Sequence, residues 1–527
     1  MKQDPRRLSY RAPERVIWKR DTLKNPEWLL GRAGEFQTIW KAPGVMLGPG
    51  QGFLLDYGLE VAGGIRLVTA LNQPGGPGKV RVRFGESVSE AMATPNQDHA
   101  IHDFELAVPA MGESHVGNTG FRFVRIDNLS KKQTLEVREC SAAVWERPVP
   151  RVGSFRCSDE LLNQIWETCA RTLDLCVAPL LTDGAKRDRL VWMGDLYNEI
   201  RAAGVLYRKH PAIPESLDYM RDEGMGTGLF NNCVPYTPYW FLSHAEYYRY
   251  FADLNYLKRQ RQGYRRYADK LLSEFEQTPE QVLEGTIIDW GVKSGYARHG
   301  YAPLYYIGVR DCIKMGTLLG EEALVSRAQK VQKTLKKAVR LTDLDKSSAA
   351  FAVLAGLLDP AKAYREVLAK KPTETISTFH FDNLMRAYTL AGKSPEALAL
   401  LRKYYGGMLK LGATTFWEQV DMAWFKGAGR IDELPKPGKH DIHAEYGRRC
   451  FTGLRNSFCH GWASTPIAWM MENIAGVMPT IDGYEEIRIQ PNLFDLEWFE
   501  ATCPTPFGPL KVAQKKGQKE PEITLPK

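Results

Sequence analysis

The chain has 527 residues, of which 44% are hydrophobic and 25% are charged. This composition favours large packed cores in roughly two to four domains and excludes a globally disordered chain. The 70 basic and 62 acidic residues leave a net charge of +8, which is weak for this length and argues against a nucleic-acid groove.

The sequence also limits where the protein is expected. No run of about 18 apolar residues occurs, so we expect no membrane-spanning helix. The first ten residues have no apolar core, which predicts a cytoplasmic chain without a signal peptide, or a periplasmic or secreted one if a leader was removed. The nine cysteines are odd in number and form no CxxC pair, which argues against a disulfide framework and favours a reducing compartment.

The first predicted domain, residues 1–150, has the alternation of β-strands. Apolar and polar residues alternate at 79–86, 120–127 and 134–140, and turn residues separate these runs. The pattern predicts an antiparallel β-sandwich. The proline-containing segment 141–155 is predicted to link it to the next domain.

The second predicted domain, residues 151–480, is helical. Residues 159–176 carry one apolar stripe: Leu161, Leu162, Ile165, Trp166, Cys169, Leu173 and Cys176. The other predicted helices are 194–208, 214–222, 239–253, 255–276, 303–319, 321–340, 347–357, 360–369, 379–391, 394–405 and 461–475. No strict repeat is visible, so a closed double ring of helices is favoured over an open solenoid, while a bundle stays open as an alternative.

The third predicted region, residues 481–527, contains β-strands and a tail. The strand pattern returns in EEIRIQPNL and TPFGPLKVAQ. We expect this small unit either to pack on the helical domain or to return to the sandwich.

The densest polar segment is TDGAKRDRLVWMGDLYNE, residues 182–199. Its three aspartates alternate with arginines and a tryptophan just before a predicted helix, where the helix dipole favours carboxylates. One interpretation is a capped helix start with a solvated Arg/Asp network. The other is a sugar-binding loop, in which carboxylates bind hydroxyls and the tryptophan offers an apolar face.

Two later segments have similar alternatives. In LGATTFWEQVD, residues 411–421, Thr415 and Glu418 suit a capping box, but Glu418 also suits the second carboxylate of a glycosidase. In NSFCHGWASTP, residues 456–466, His460 suits a structural hydrogen bond or a ligand of sugar hydroxyls. Weaker candidates for cavity walls are Trp240 and the pair Asp289 and Trp290.

Other chemistries lack their motifs. GxxxxGK[ST], a GxGxxG after a strand, HExxH and GxSxG are all missing from the sequence. The ten histidines form no close metal-like pair. We therefore expect no cofactor and no metal.

Taken together, the motifs resemble the bacterial α-L-rhamnosidases of glycoside hydrolase family 78. DGAKRDRLVWMGD is similar to the family's DCPxRERLGWxGD, GATTFWEQ to its GATTxWE, NSFCHGW to its CHGW-type segment, and IDW to its GDW. The resemblance covers roughly residues 50–510. It implies a β-sandwich, a catalytic (α/α)6 barrel and a β domain, and an inverting enzyme that removes terminal α-L-rhamnose from oligosaccharides, polysaccharides or glycoconjugates.

The resemblance also implies roles for single residues. Asp188 falls where the family has its general-acid Glu, and Glu418 matches the general base that activates water. The implied substrate-binding residues are Asp183, Arg187, Trp192, Asp195, Trp240, Asp289, Trp290, Trp417 and His460. The expected partner is a carbohydrate, with neither nucleic acid nor membrane, and a homodimer is left open.

One departure from the family pattern concerns the acid. Asp188 is one methylene shorter than Glu, and a misplaced catalytic group can cost about 10²-fold in rate. Either the backbone compensates, or another group is the acid, or the linkage differs. Two alternatives follow: a glycosidase for another deoxy or unsaturated uronic sugar, which Arg187, Arg189 and Arg201 would suit, or a carbohydrate-binding relative without catalysis.

Overall fold

The structure is a computed structural model that describes residues 4–34, 43–70, 77–94, 102–225, 228–288, 299–447 and 451–526. It is rich in helices, with an antiparallel sheet in the N-terminal part and two small sheets in the C-terminal part. These three kinds of structure follow the chain order that the sequence patterns predict.

The N-terminal sheet has eight described strands. They are β1 Arg7–Arg11, β2 Arg15–Lys19, β3 Val45–Leu47, β4 Gly52–Ala70, β5 Gly78–Gly85, β6 Asp103–Val108, β7 Gly112–Asn128 and β8 Leu135–Glu146. The sheet order is β1-β8-β4-β7-β5-β6, with β2 paired to β4 and β3 to β8. Every pairing is antiparallel, as predicted.

Strand β4 pairs with different strands along its length. Its register shifts between Asp56 and Val61, so that its first half pairs with β2 and its second half with β8. Gly63 allows β8 to lie close to β4, since a Cβ at this position would lie 2.1 Å from the carbonyl oxygen of Ala143. The described strands therefore form one continuous sheet, and the division into two sheets stays a prediction.

The helices begin with the short α1 Val88–Met92, which directly follows β5. The remaining helices are α2 Glu160–Cys176, α3 Met193–Leu206, α4 Ala212–Glu223, α5 Tyr236–Phe251, α6 Leu254–Arg259, α7 Arg261–Gln277, α8 Pro279–Leu283, α9 Tyr301–Leu319, α10 Glu322–Ala338, α11 Lys346–Leu354, α12 Pro360–Ala363, α13 Thr378–Leu390, α14 Ser394–Lys410 and α15 Pro466–Asn473. Each predicted helix overlaps one of these.

Two predicted helices differ in extent. The helix predicted over 255–276 is divided at Gln260, whose buried side chain donates a hydrogen bond to Asp218 at 2.6 Å. The helix predicted over 461–475 begins only at Pro466, after a 3₁₀ turn at Gly461–Ser464. Proline has no N–H to donate within a helix and is tolerated in the first turn, so it marks the start.

Six helices pack in a closed series. Helix α3 packs on α5, α5 on α9, α9 on α11, α11 on α13 and α13 on α15, and α15 packs back on α3. Every residue of α3 is buried. The segment before α3 is thereby fixed at one end of this helix.

The C-terminal strands form two small sheets. Strands β10 Val477–Pro479 and β11 Ile487–Ile489 pair with each other, while β12 Trp498–Thr505, β13 Gly508–Lys515 and β14 Glu522–Thr524 join β9 Ser154–Cys157. The predicted linker 141–155 is wrong in extent, because its ends belong to β8 and β9. Phe499 stacks on Phe155, and Phe155 on Trp166 of α2, so this unit packs on the helical part.

Two smaller expectations concern membranes and thiols. Within the described ranges, no helix has the length and apolarity needed to cross a membrane. The eight described cysteines are buried free thiols, in agreement with the sequence-based argument against a disulfide framework. Cys450 lies outside the described residues.

Candidate active site

Backbone hydrogen bonds join the three polar segments that the sequence singles out. The N–H of Gly461 donates to the carbonyl oxygen of Asp183 at 2.7 Å, and the N–H of Glu418 donates to that of Ser457 at 2.9 Å. Residues separated by more than 230 positions therefore meet at one end of the helical series.

A cavity of about 180 Å³ opens where these segments meet. Its walls are Asp183, Arg187, Asp188, Trp192, Asp195, Glu418, Phe451, Arg455, His460 and Trp462. Both predicted catalytic carboxylates and five of the predicted substrate-binding residues are among them. Aromatic faces beside convergent polar groups are typical of a site for a small polar ligand.

Glu418 is held as a carboxylate in this cavity. Its Oε2 accepts hydrogen bonds from the Arg187 guanidinium and from the N–H of Ser457, and its Oε1 lies 3.4 Å from His460 Nε2. Burial alone would raise its pKa, but the positive charge of Arg187 and the contact with His460 outweigh burial and lower the pKa to about 2. Glu418 is therefore ionised at neutral pH.

Asp188 sits in an unusual stretch of backbone. Asp188 and Arg189 both adopt positive φ, 53° and 54°, in a region that residues other than glycine seldom occupy and that often marks functional sites. The Asp188 side chain is 33% exposed, against 2% for Glu418. Arg187 donates to its Oδ2 at 2.9 Å, so one guanidinium contacts both predicted catalytic carboxylates.

A histidine lies among three carboxylates. His460 Nε2 is 3.8 Å from Asp183 Oδ2, and His460 Nδ1 is 3.9 Å from Asp195 Oδ1. Burial raises the pKa of Asp183 well above its usual value, and the charge of Asp188 raises it further, although the N–H of Leu190 donates to it. A neutral Asp183 could donate a hydrogen bond to a ligand hydroxyl as well as accept one.

Three residues of the cavity wall are missing from the sequence-based set. Trp462 stacks against His460, with ring centroids 3.9 Å apart, and donates its indole N–H to the Glu418 carbonyl at 2.9 Å. Its place in the CHGW motif could have identified it. Phe451 lies under the Arg187 guanidinium at 5.6 Å, and neither it nor Arg455 stands in a motif that would mark it.

Several predicted site residues lie elsewhere. Trp240 is fully buried in the helical core, where its ring centroid lies 4.0 Å from that of His244 and 5.0 Å from that of Tyr267. Trp417 is also buried and stacks on Phe458 at 4.1 Å, behind Glu418. Both are apolar packing residues rather than cavity walls. Asp289 and Trp290 lie outside the described residues.

Arg201, predicted beside the site, belongs instead to an ion cluster within the core. It is buried on α3 and pairs with Asp382, Glu246 and Glu472 at 3.0, 3.4 and 3.4 Å. These carboxylates lie on α13, α5 and α15. Its proximity in sequence to the polar segment was misleading, because α3 carries the chain away from the cavity.

Among the described residues, one group has the make-up of a metal site. Potential ligand atoms of Glu86, Glu90 and His443 lie within 4.8 Å of one another. The ammonium of Lys186 already lies 3.1 Å from both glutamates. A cation therefore occupies this position as part of the chain, and the group does not fit a metal ion.

A comparison with known protein families identifies the family of the helical domain. The family model described as the bacterial alpha-L-rhamnosidase 6 hairpin glycosidase domain matches residues 150–474. The fold and the match define a member of the six-hairpin glycosidase class. Within that class, the chain belongs to the bacterial α-L-rhamnosidase family. No curated protein sequence matches the chain.

Solved structures agree on the fold. A family 78 rhamnosidase of Bacillus sp. GL1 aligns with TM-score 0.72 and 18% identity over 95% of this chain and 54% of that one. A rhamnosidase from Klebsiella oxytoca with rhamnose bound aligns with TM-score 0.67 and 20% identity over 89% and 96%. The Streptomyces avermitilis α-L-rhamnosidase complexed with L-rhamnose aligns with TM-score 0.70 and 17% identity over 98% and 48%.

The chain thus spans about half the length of the Bacillus and Streptomyces proteins and nearly all of the Klebsiella protein. At these identities the alignments establish the fold.

Proposed function

We propose that the chain is an inverting α-L-rhamnosidase that removes terminal rhamnose from oligosaccharides, polysaccharides or glycoconjugates. The observation that carries the proposal is the buried, ionised Glu418 in one cavity with the more exposed Asp188. Hydrolysis of a glycoside needs such a pair of carboxyl groups, one to activate water and one to protonate the leaving oxygen. The choice of rhamnose as the sugar rests on membership of the family.

The proposed architecture is an (α/α)6 barrel over residues 151–480, between a β-sandwich over 1–150 and a C-terminal strand unit over 481–527. The closed series of α3, α5, α9, α11, α13 and α15 supports an inner ring of six helices. The short boundary strand β9 is the exception to these limits, because it joins the C-terminal sheet.

In the proposed mechanism, Glu418 takes a proton from a water that attacks the anomeric carbon. Asp188 protonates the departing glycosidic oxygen from the opposite face of the sugar. Inversion requires the two carboxyl groups to be about 6.5–9.5 Å apart so that the water fits between substrate and base. The shared contact with Arg187 supports a fixed spacing, since both carboxylates bind one rigid, planar guanidinium.

We propose that the backbone compensates for the short Asp188 side chain. Two consecutive residues in the left-handed region turn the chain sharply at this point and carry the carboxyl group toward the cavity opening. Asp183, Asp195 and His460 would bind the sugar hydroxyls, and Trp192 would cover an apolar face of the ring.

The test uses two substrates and two variants. An aryl rhamnoside has a good leaving group, whereas a rhamnosyl oligosaccharide needs protonation of the departing oxygen. We expect Asp188→Asn to reduce kcat/KM for the oligosaccharide by about 10²–10⁴-fold and much less for the aryl glycoside, and Glu418→Gln to reduce both by about that factor. Equal losses on both substrates for Asp188→Asn would contradict its role as acid.

A second candidate substrate is an acidic glycan. Arg455 lines the cavity together with Arg187, and guanidinium groups suit the carboxylate of a uronic sugar. Hydrolysis of unsaturated uronyl oligosaccharides, monitored as a loss of ultraviolet absorbance, would favour this alternative. Rhamnose binding without any turnover would favour a non-catalytic relative.

A further inference from the structure

Glu86 is one of the residues through which the N-terminal part of the chain contacts the segments of the active site. Glu86 follows β5 and is 1% exposed. Its oxygens accept hydrogen bonds from the N–H groups of Phe458 and Cys459 at 2.6 and 3.1 Å and from the Ser457 hydroxyl at 3.1 Å. A carboxylate from the first part of the chain therefore holds the backbone turn at residues 457–459.

This turn is the one that orients Glu418. The N–H of Ser457 donates to Glu418 Oε2 at 3.0 Å, while the N–H of Glu418 donates back to the Ser457 carbonyl at 2.9 Å. The next residue after the turn, His460, lies 3.4 Å from the other carboxylate oxygen. Two of the groups that keep Glu418 ionised are thus attached to the segment that Glu86 fixes.

The same cluster holds the segment that carries Asp188. Lys186 is buried, and its ammonium lies 3.1 Å from both Glu86 and Glu90. It also donates to the carbonyl oxygens of Leu454 and Asn456 at 2.7 and 2.9 Å. Burial would lower the pKa of Lys186, but the two glutamates outweigh burial and raise it, so the ammonium stays charged.

We propose that Glu86 is a positioning residue for the hydrolysis proposed above: it clamps the 457–459 turn, and thereby the base Glu418, from the N-terminal sheet. The proposal rests on the proposed function for its catalytic part. It assigns the sheet a place in the catalytic unit, since Glu86 binds both the turn that holds the base and Lys186 of the segment that carries the acid.

The first test replaces Glu86 by Gln. The amide keeps the shape but cannot accept hydrogen bonds at its nitrogen, so part of the turn and Lys186 lose a partner. We expect kcat to fall by about tenfold or more with KM nearly unchanged. The charged and titratable groups that face Glu418 are Arg187, His460 and Asp183. Loosening the turn weakens the hydrogen bond from the Ser457 N–H, a bond that lowers the pKa of Glu418. The pKa should therefore rise, and the acidic limb of kcat/KM should move to higher pH.

Hydrogen–deuterium exchange tests the clamp without a substrate. In Glu86→Gln, the amides of Phe458, Cys459 and Glu418 should exchange faster than in the wild type. The matched control is Ser89→Ala, which breaks a 3.2 Å hydrogen bond from α1 to Asp441 across the same contact but does not touch the turn. We expect the control to leave both the exchange of these amides and the pH profile unchanged.

A second variant covers the case in which Glu86→Gln does not fold. Ser457→Ala removes the hydroxyl that binds Glu86 and the backbone of Cys459 but leaves the two backbone N–H bonds to Glu86, and it should produce smaller changes in the same direction. Wild-type exchange and an unchanged pH profile in a folded Glu86→Gln protein would overturn the proposal. If the wild type cleaves no rhamnoside, the proposed function fails, whereas the clamp is still decided by the exchange of the Glu418 amide.

Discussion

Two buried arginines, Arg187 and Arg201, make similar contacts in different places. Arg201 pairs with three carboxylates from three helices and ties α3 to α5, α13 and α15. Arg187 binds Asp188, Glu418 and the Arg455 carbonyl, which lie outside the described α-helices. The Arg187 cluster lines the cavity described above, whereas Arg201 is fully buried. Clusters of buried charges therefore occur in the core as well as in the active site. The two kinds of cluster differ in whether a ligand can reach them.

The largest expected contrast comes from removing each guanidinium. Arg201→Met removes the nearest cation of the buried Asp382, while Glu246 and Glu472 keep their pairs with Arg249. We therefore expect it to lower the free energy of unfolding by about 3–5 kcal/mol while activity per folded molecule stays near that of the wild type. Arg187→Met should instead reduce kcat by about 10²-fold. Denaturant unfolding and steady-state kinetics measure the two effects. Similar activity losses per folded molecule in both variants would contradict the assignment of Arg201 to the core and Arg187 to the active site.

A smaller contrast concerns pH. The pKa of Glu418 is held at about 2 against its burial, with Arg187 as the strongest opposing charge. Because the folded-state pKa is lowered, the stability that Glu418 contributes is present above its ordinary pKa of about 4.3 and is lost as pH falls toward 2. In Arg187→Met, the acidic limb of kcat/KM should rise by at least one pH unit. A limb that stays at the wild-type pH would contradict Glu418 as the base.

The smallest contrast is between two tryptophans. Trp192 lines the cavity, whereas Trp240 is buried in the core. Trp192→Phe should raise KM by a few-fold, since aromatic contacts contribute about 1 kcal/mol, and should leave stability nearly unchanged. Trp240→Phe should lower the melting temperature and leave KM unchanged. The reverse result would contradict the place of Trp192 in the sugar site.

The sequence predicts the helices and the three site segments because both are local patterns. The apolar stripe of α2 and the motifs around Asp188, Glu418 and His460 can be read from neighbouring residues. The position of Arg201 or Trp240 depends on which side of its helix faces the cavity, which no local pattern contains. The contact of Glu86 with the 457–459 turn joins residues about 370 positions apart and is visible only in the fold.

The central claim is that Glu418 and Asp188 hydrolyse an α-L-rhamnoside with inversion. The most direct measurement follows the hydrolysis by proton NMR and identifies the anomer of rhamnose released first. Attack of a water activated by Glu418 on the face opposite to Asp188 predicts β-L-rhamnose as the initial product, which then mutarotates. Initial release of α-L-rhamnose, or no release of rhamnose, would contradict the account.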